Sequence, residues 1–518
     1  VAAPVDFGMT GSEPLPAGTS VHLGEGIAWV SDDILVGGSP TRLLRLSPSG
    51  RRALDEIEAG PVVSPGGAAL GRLLTDAGLA TVRSEAGAGF AGVAGTFHIP
   101  GMLGMPDVTV VVPVRDRDAE LDRCLSAMGG LFPVVVVDDG SAKPVRVATI
   151  AACHQARLVR RPTAGGPAMA RNTALRVVHS PLVAFLDSDC VAHPAWIQAL
   201  ASHFDDPLVG AVAPRVLGRS AGSNRHLGTS PLLPAKPKSR AWAPQLKGPA
   251  HRTSPLDMGP SSGSVAPRTA RPYVPTAALL VRRAILLDGF DENLRFGEDV
   301  DLVWRLIDAG WRVRYDASVI VEHVEPAELS TLLARSYRYG ASAAPLALRH
   351  PGRLAHVVLP PGPAATIGAL AVGRPDVAGL AFTATAFTLW RRAQPAGLSL
   401  RAAVALSAKS VWRTWLGLGR SATQFALPTF GLAALATLLP HQWWARDHRR
   451  CTIWARRLGV ASCLLVPTLA DAERPIRRAT PRSTIGALLE RAAYGTGVLA
   501  GCWRHRTVAP LLPSTGKR

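Results

Sequence analysis

The chain has 518 residues, enough for about two to four domains. Lysine and arginine number 57 against 38 acidic residues, and the formal charge of +19 favours phosphate-bearing partners: a nucleotide, a nucleic acid or an anionic membrane surface. The six cysteines form no CxxC pair and no ligand-like spacing, which argues against a disulfide framework and for a reduced, cytosolic setting.

Residues 1–20 read as a flexible leader. The opening VAAPVDFGMTGSEPLPAG lacks a basic n-region and an apolar h-region, so no secretory signal is expected. Residues 21–85 read as a small module. A strand-like IAWVSDDILVGG precedes a helix capped by Ser47 with Pro48 at its first position. Leu54 and Ile57 give that helix an apolar face, and Gly60 closes it. A second helix carries Leu70, Leu73, Leu74 and Ala77 at helical spacing. One strand and two or three short helices suggest a winged-helix-like unit. Residues 86–105 form a Gly-rich linker.

At Asp107 the pattern changes. VTVVVPVRDR is a β-branched run expected to be a buried parallel strand. A helix with Leu121, Leu125 and Met128 follows, then the strand FPVVVVDDGS. HQARLVR offers a third strand, ARNTALRVVH a helix and LVAFLD a fourth strand. This alternation predicts an α/β domain over 106–345 with an open, mostly parallel sheet, whose ligands bind at the carboxyl ends of the strands. Residues 218–272, rich in Pro, Ser, Gly, Lys and Arg, read as a long mobile loop. Residues 346–518 form an apolar helical tail. VAGLAFTATAFTLW is followed by Arg391 and Arg392, and FALPTFGLAALATLLP by HQWW and several arginines. Neither run reaches roughly 20 uninterrupted apolar residues, but Trp and Arg at their ends resemble interfacial anchors. Membrane association is expected; the alternative is a set of core helices.

The strand ends carry the candidate chemistry. The first runs into Asp116, and the second ends in Asp138 and Asp139; no GxGxxG follows the first, which counts against a dinucleotide-binding domain. Carboxylates there can accept hydrogen bonds from a base or a ribose, although DDGS alone is also a good turn. Gly165 and Gly166 permit close backbone approach to a ligand, with Arg171 nearby to meet phosphate or orient an aspartate. Asp187 and Asp189 stand two apart at a strand end and repel unless a cation is close. A hard divalent ion such as Mg²⁺ or Mn²⁺ takes one or two carboxylates plus substrate phosphates. Glu298 and Asp299 open a helix, as capping acids or as a general base. Asp301 and Arg305 form an i,i+4 pair, read as structural. His323 ends a further strand and can add a metal or phosphate contact.

The order VVVPVRDR, VVVVDDGS, GGPAMARN, FLDSDC, GFDENLRFGEDVDLVWRL, VEH resembles the family 2 glycosyltransferases of GT-A fold over residues 106–325. The resemblance implies inverting transfer of a sugar from a nucleoside diphosphate sugar. It implies that Asp116 and Asp138 or Asp139 hold the uridine and that Asp187 and Asp189 are the DxD motif, with Asp189 nearest the metal. It further implies Asp299 as base with Glu298 beside it, and His323 on the metal or diphosphate. Within that family, the N-terminal module, SPLDMGPSSGSVAPRTARPYVPTAALLVRR and the apolar tail look most like the mycofactocin-system glycosyltransferases. That finer resemblance implies UDP-glucose as donor, a small peptide-derived acceptor (pre-mycofactocin), a short glucose chain as product and a peptide- or partner-recognition role for 21–85. The stretch from 218 to about 250 is longer and more basic than this group leads one to expect.

The expected place is the cytoplasmic face of the membrane. Alternatives are a family 2 enzyme acting on a cell-envelope lipid or polysaccharide, and a partner-binding membrane scaffold with a degenerate transferase domain; the intact acidic motifs argue against the scaffold. Nucleic-acid binding lacks an aromatic-interleaved basic platform or zinc spacing.

Overall fold

The computed structural model describes residues 13–24, 27–38, 42–83, 106–220, 251–252, 254–326, 328–371, 373–429 and 481–515. The N-terminal module is built from β1 (Ser20–Leu23), β2 (Ala28–Ser31), β3 (Ile34–Gly37), β4 (Arg42–Arg45), α1 (Pro48–Ala59), α2 (Pro65–Asp76) and β5 (Ala80–Arg83). Strands β2, β3 and β4 form one antiparallel sheet, and β1 pairs with β5. Ser47 caps α1 by accepting the Gly50 N–H at 3.1 Å, and Ser64 caps α2 through the Gly67 N–H at 2.9 Å. Leu35, Leu54, Ile57, Leu74 and Leu79 close over one core. The expected flexible leader is corrected at its described end. Leu15 is buried in that core and its N–H donates to the Ala68 carbonyl, because Gly71 leaves room for its side chain. The linker at 86–105 lies outside the described residues.

The module is fixed to the following domain by buried charge. The guanidinium of Arg72 donates to both oxygens of Asp206 at 2.7 and 2.8 Å, and Arg314 adds a third bond at 2.6 Å. Removing one member would leave a desolvated charge unpaired, so the contact is specific.

That domain holds β6 (Val108–Val114), α3 (Asp118–Met128), β7 (Val134–Asp139), α4 (Pro144–Cys153), β8 (Arg157–Arg161), α5 (Pro167–Leu175), β9 (Leu182–Leu186), β10 (Cys190–Ala192), α6 (Trp196–Ala201), β11 (Val209–Ser220), β12 (His251–Arg252), β13 (Gly263–Val265), β14 (Ala278–Arg282), α7 (Glu298–Asp308) and β15 (Arg312–Glu325). Among the described residues these strands form one ten-stranded sheet of order β10-β15-β11-β14-β9-β6-β7-β8, with β12 on β11 and β13 on β15. Strands β9, β6, β7 and β8 run parallel, as do β11 and β15; β14 is antiparallel to both its neighbours. Both faces are covered, so β9 is buried at every position. Val110 and Val112 point into one core, and Val111 into the other.

Two local expectations change. The helix expected over ARNTALRVVH begins earlier, at Pro167, whose ring suits a first turn, and ends at Leu175. The stretch 218–272, expected to be one mobile loop, is divided. Strand β11 runs through Ser220, and β13 pairs with β15 because Val265 is buried in the core. The Trp304 indole N–H pins the Pro272 carbonyl at 2.7 Å. Residues 221–250 lie outside the described residues.

Helices α8 (Leu329–Ala341) and α9 (Ala343–Arg349) lead into the tail, which contains α10 (Pro361–Ala371), α11 (Pro375–Ala393), α12 (Leu400–Thr429) and α13 (Pro481–Arg504). No described helix is long and apolar enough to cross a membrane. Most of FALPTFGLAALATLLP lies outside the described residues.

Candidate active site

Because β6, β7 and β9 are parallel, their carboxyl ends emerge at one edge of the sheet. The two carboxylate pairs there have different partners. Asp138 is fully buried; its Oδ1 accepts the Ser141 N–H at 2.9 Å and its Oδ2 the Arg160 Nη1 at 2.7 Å. Asp139 receives the Arg161 Nε at 2.7 Å and the Gly166 N–H at 2.7 Å, and both its oxygens lie 3.0 Å from the Gly165 nitrogen. It therefore holds the Gly165–Gly166 turn against the strand end. Gly140 is required beside it: its φ is +74°, and a Cβ there would stand 2.8 Å from the Ala164 nitrogen. Asp116 also takes a left-handed backbone, φ +54°, which an aspartate tolerates better than most residues. Its N–H donates to Ser141 Oγ at 3.0 Å, its Oδ1 accepts the Ala142 N–H at 2.7 Å, and its half-exposed carboxylate lies 3.6 Å from Arg115.

Asp187 and Asp189 follow β9. Arg171, buried on α5, donates to Asp187 Oδ1 at 2.8 Å and to Glu298 Oε1 at 2.9 Å. Burial alone opposes its charge, but Asp187 and Glu298 outweigh that and raise its pKa. Asp189 pairs with Arg117 and lies 3.4 Å from His323 Nε2. Sheet register explains the meeting: β10 pairs with β15 so that Cys190 faces His323. On its other side the imidazole Nδ1 meets Glu325 Oε1 at 3.1 Å, and Arg335 donates to Glu325 Oε2 at 2.6 Å. Although burial opposes it, the His323 hydrogen bond leads the interactions that bring Glu325 down to about 2. Glu325 thus fixes the ring with Nε2 toward Asp189, the arrangement usual for a metal-binding histidine.

Helix α7 begins after Gly297, whose φ of +84° and contact with Leu346 exclude a side chain. Burial, then the charge of Asp299, pushes Glu298 up to about 7. Burial also raises Asp299, whose Oδ1 accepts the Val300 N–H at 2.8 Å. Asp301 points away, into contacts with Arg305 at 2.8 Å, Arg349 at 2.8 Å and His350 at 2.9 Å.

Asp139, Arg171, Asp187, Asp189, Glu298, Asp299 and His323 all line one cavity of ≈1520 Å³. Asp116 and Asp138 do not line it. Sequence reasoning missed Arg117, Glu325, Arg335 and the cavity tyrosines Tyr273, Tyr339 and Tyr494. Glu325 was findable: in VEHVEP it stands two after His323, on the same strand face. Arg117, Arg335 and the tyrosines carried no local signal.

Residues 109–259 match the model of glycosyl transferase family 2. The pre-mycofactocin glycosyltransferase of Mycobacterium tuberculosis is 34% identical over 510 residues, covering 96% of this chain and 98% of that protein. Validoxylamine A glucosyltransferase of Streptomyces hygroscopicus subsp. limoneus is 35% identical over 111 residues, covering 19% of this chain and 24% of that protein. A solved mannosyltransferase of Pyrobaculum calidifontis aligns with a TM-score of 0.35 and 17% identity, covering 71% of this chain and 88% of that one. With a relative this similar along nearly its whole length, the chain belongs to the pre-mycofactocin glycosyltransferase family, within glycosyl transferase family 2.

Proposed function

We propose that the chain transfers glucose from UDP-glucose, with inversion, to a hydroxyl of pre-mycofactocin, a small peptide-derived acceptor, and extends the product into a short glucan. The acceptor is taken from the relative's name and the length of the match. One observation carries the chemistry: Arg171 ties Asp187, at the donor-binding sheet edge, to Glu298, beside Asp299. The nucleotide edge and the base therefore share one cavity. Asp299 takes the proton of the acceptor hydroxyl as its oxygen attacks the anomeric carbon, and the bond to the β-phosphate oxygen breaks on the opposite face. Toward the uridine, Asp139 acts by holding the Gly165–Gly166 turn beside the cavity, Asp138 by holding Ser141, and Asp116 offers its half-exposed carboxylate at the cavity's margin.

Among the described residues no group of three or more acidic, histidine or cysteine side chains is placed to hold a metal. Asp189 and His323 provide one carboxylate and one imidazole, with Asp187 alongside, which suits a cation whose remaining ligands are phosphate oxygens and water. Bound there, Mg²⁺ or Mn²⁺ would neutralise charge developing on the departing diphosphate.

The reading extends to location. Leu380, Phe387, Trp412 and Trp503 are exposed on the tail helices, with Arg391 and Arg392 ending α11, which suits contact with the cytoplasmic face of an anionic membrane. The module at 21–85 presents the exposed Trp29 on β2, beneath Arg51 at 4.6 Å, as a surface for a peptide or protein partner.

The test is incubation with pre-mycofactocin, Mg²⁺ or Mn²⁺, and a panel of UDP- and GDP-sugars, followed by mass spectrometry. Addition of one hexose and then further hexoses with UDP-glucose is expected. No transfer from any donor would overturn the reading.

A further inference from the structure

Part of the cavity wall comes from chain far beyond the sheet. Glu490, Arg491 and Tyr494 line it from α13. Glycines bring that helix in. A Cβ at Gly340 on α8 would collide with the Tyr494 carbonyl, and one at Gly497 with the Tyr337 carbonyl. The two backbones therefore touch, as at other small-residue helix crossings. Ser336 fixes the register by donating to Glu490 Oε1 at 3.0 Å.

Tyr273, ahead of β14, and Tyr339, on α8, line the same cavity. Phe296, three residues before Asp299, meets Tyr339 edge-on with ring centroids 6.0 Å apart. Burial raises the Tyr273 phenol, and the charges of Asp299, Tyr494 and Tyr339 add to it, so the four groups share one space. All three tyrosines border the open cavity. Part-buried, they present ring faces and polar tips to the cavity, where a ligand's ring and hydroxyls would lie.

We propose that Tyr494, with Tyr273 and Tyr339, forms the acceptor subsite. The phenol rings receive the flat face of a hydroxylated ring, and their oxygens meet its polar groups, so that the attacking hydroxyl is presented to Asp299. The proposal rests on the transferase reading above. A sugar already attached offers such a flat face edged with hydroxyls, as would a hydroxylated ring of the acceptor itself.

The experiment compares the full chain with Tyr494→Phe and Tyr494→Ala, using UDP-glucose with pre-mycofactocin and with its monoglucosylated product. Tyr494→Ala should raise the KM for acceptor on the order of tenfold, and Tyr494→Phe roughly threefold. UDP affinity by calorimetry should not change, which also reports an intact fold. A defect confined to the unglucosylated acceptor assigns the subsite to the acceptor's own ring; one confined to the glucosylated form assigns it to the sugar. Unchanged KM for both acceptors in both variants would overturn the proposal, as would an equal loss of UDP affinity. Failure of the unmodified chain to transfer any sugar would remove the transferase reading, and this subsite with it.

Discussion

Asp138–Asp139 and Asp187–Asp189 end neighbouring parts of one sheet, yet they spend their charge differently. The first pair is closed by the protein: Arg160, Arg161 and three backbone N–H groups beyond the strand occupy it. The second pair is held by arginines and a histidine whose other contacts face the cavity. Two acidic pairs with the same strand-end placement thus divide into one that shapes the loops and one available to a ligand. Partners, more than motif, decide which is which.

The sharpest way to break this division is at the helix start facing the second pair. Asp299→Asn should lower turnover by roughly a thousandfold while sparing UDP affinity; unchanged single-turnover rates would remove Asp299 as base. Next, Asp189→Ala should abolish the metal-dependent part of UDP binding in a calorimetric titration. Glu325→Gln, which weakens the hold on the His323 ring and on Arg335, should weaken metal affinity on the order of tenfold. The first pair should behave otherwise. Asp138→Ala leaves the Ser141 N–H unpaired in the interior and is expected to cost about 1–3 kcal/mol of stability, seen as a lower Tm; per folded molecule, turnover should change little. The smallest effect concerns pH. Burial holds Asp299 above the ordinary carboxylate range, with the charge of Asp187 adding to it, and the charge of Asp299 in turn raises Glu298. A base must be ionised, so kcat/KM is full above the raised pKa and lost as pH falls through it. Glu298→Gln removes the group that titrates near 7 beside Asp299, so any part of the acid limb owed to Glu298 should disappear; a pH profile unmoved by it assigns the limb to Asp299.

Much of the sheet was legible because its signals are local. The β-branched runs at 108–114 and 134–139 and the wholly apolar 182–186 announce strands buried on both faces, and their ends place the carboxylates. What escaped depends on distant partners. Asp138 looks the same in sequence whether it meets a nucleotide or Arg160. The antiparallel β13 at 263–265 hides in a Ser- and Gly-rich stretch, where Val265 alone signals burial. Tyr494 reaches the cavity only because glycines let α13 touch α8, and no periodicity in α13 announces its partner.

The central claim is that Asp299 drives direct displacement across the cavity from the strand-end carboxylates. The anomeric configuration of the first product, read by proton NMR coupling after reaction with the α-linked donor UDP-glucose, tests it most directly. A β-linked glucose is predicted. An α-linked glucose would contradict the account.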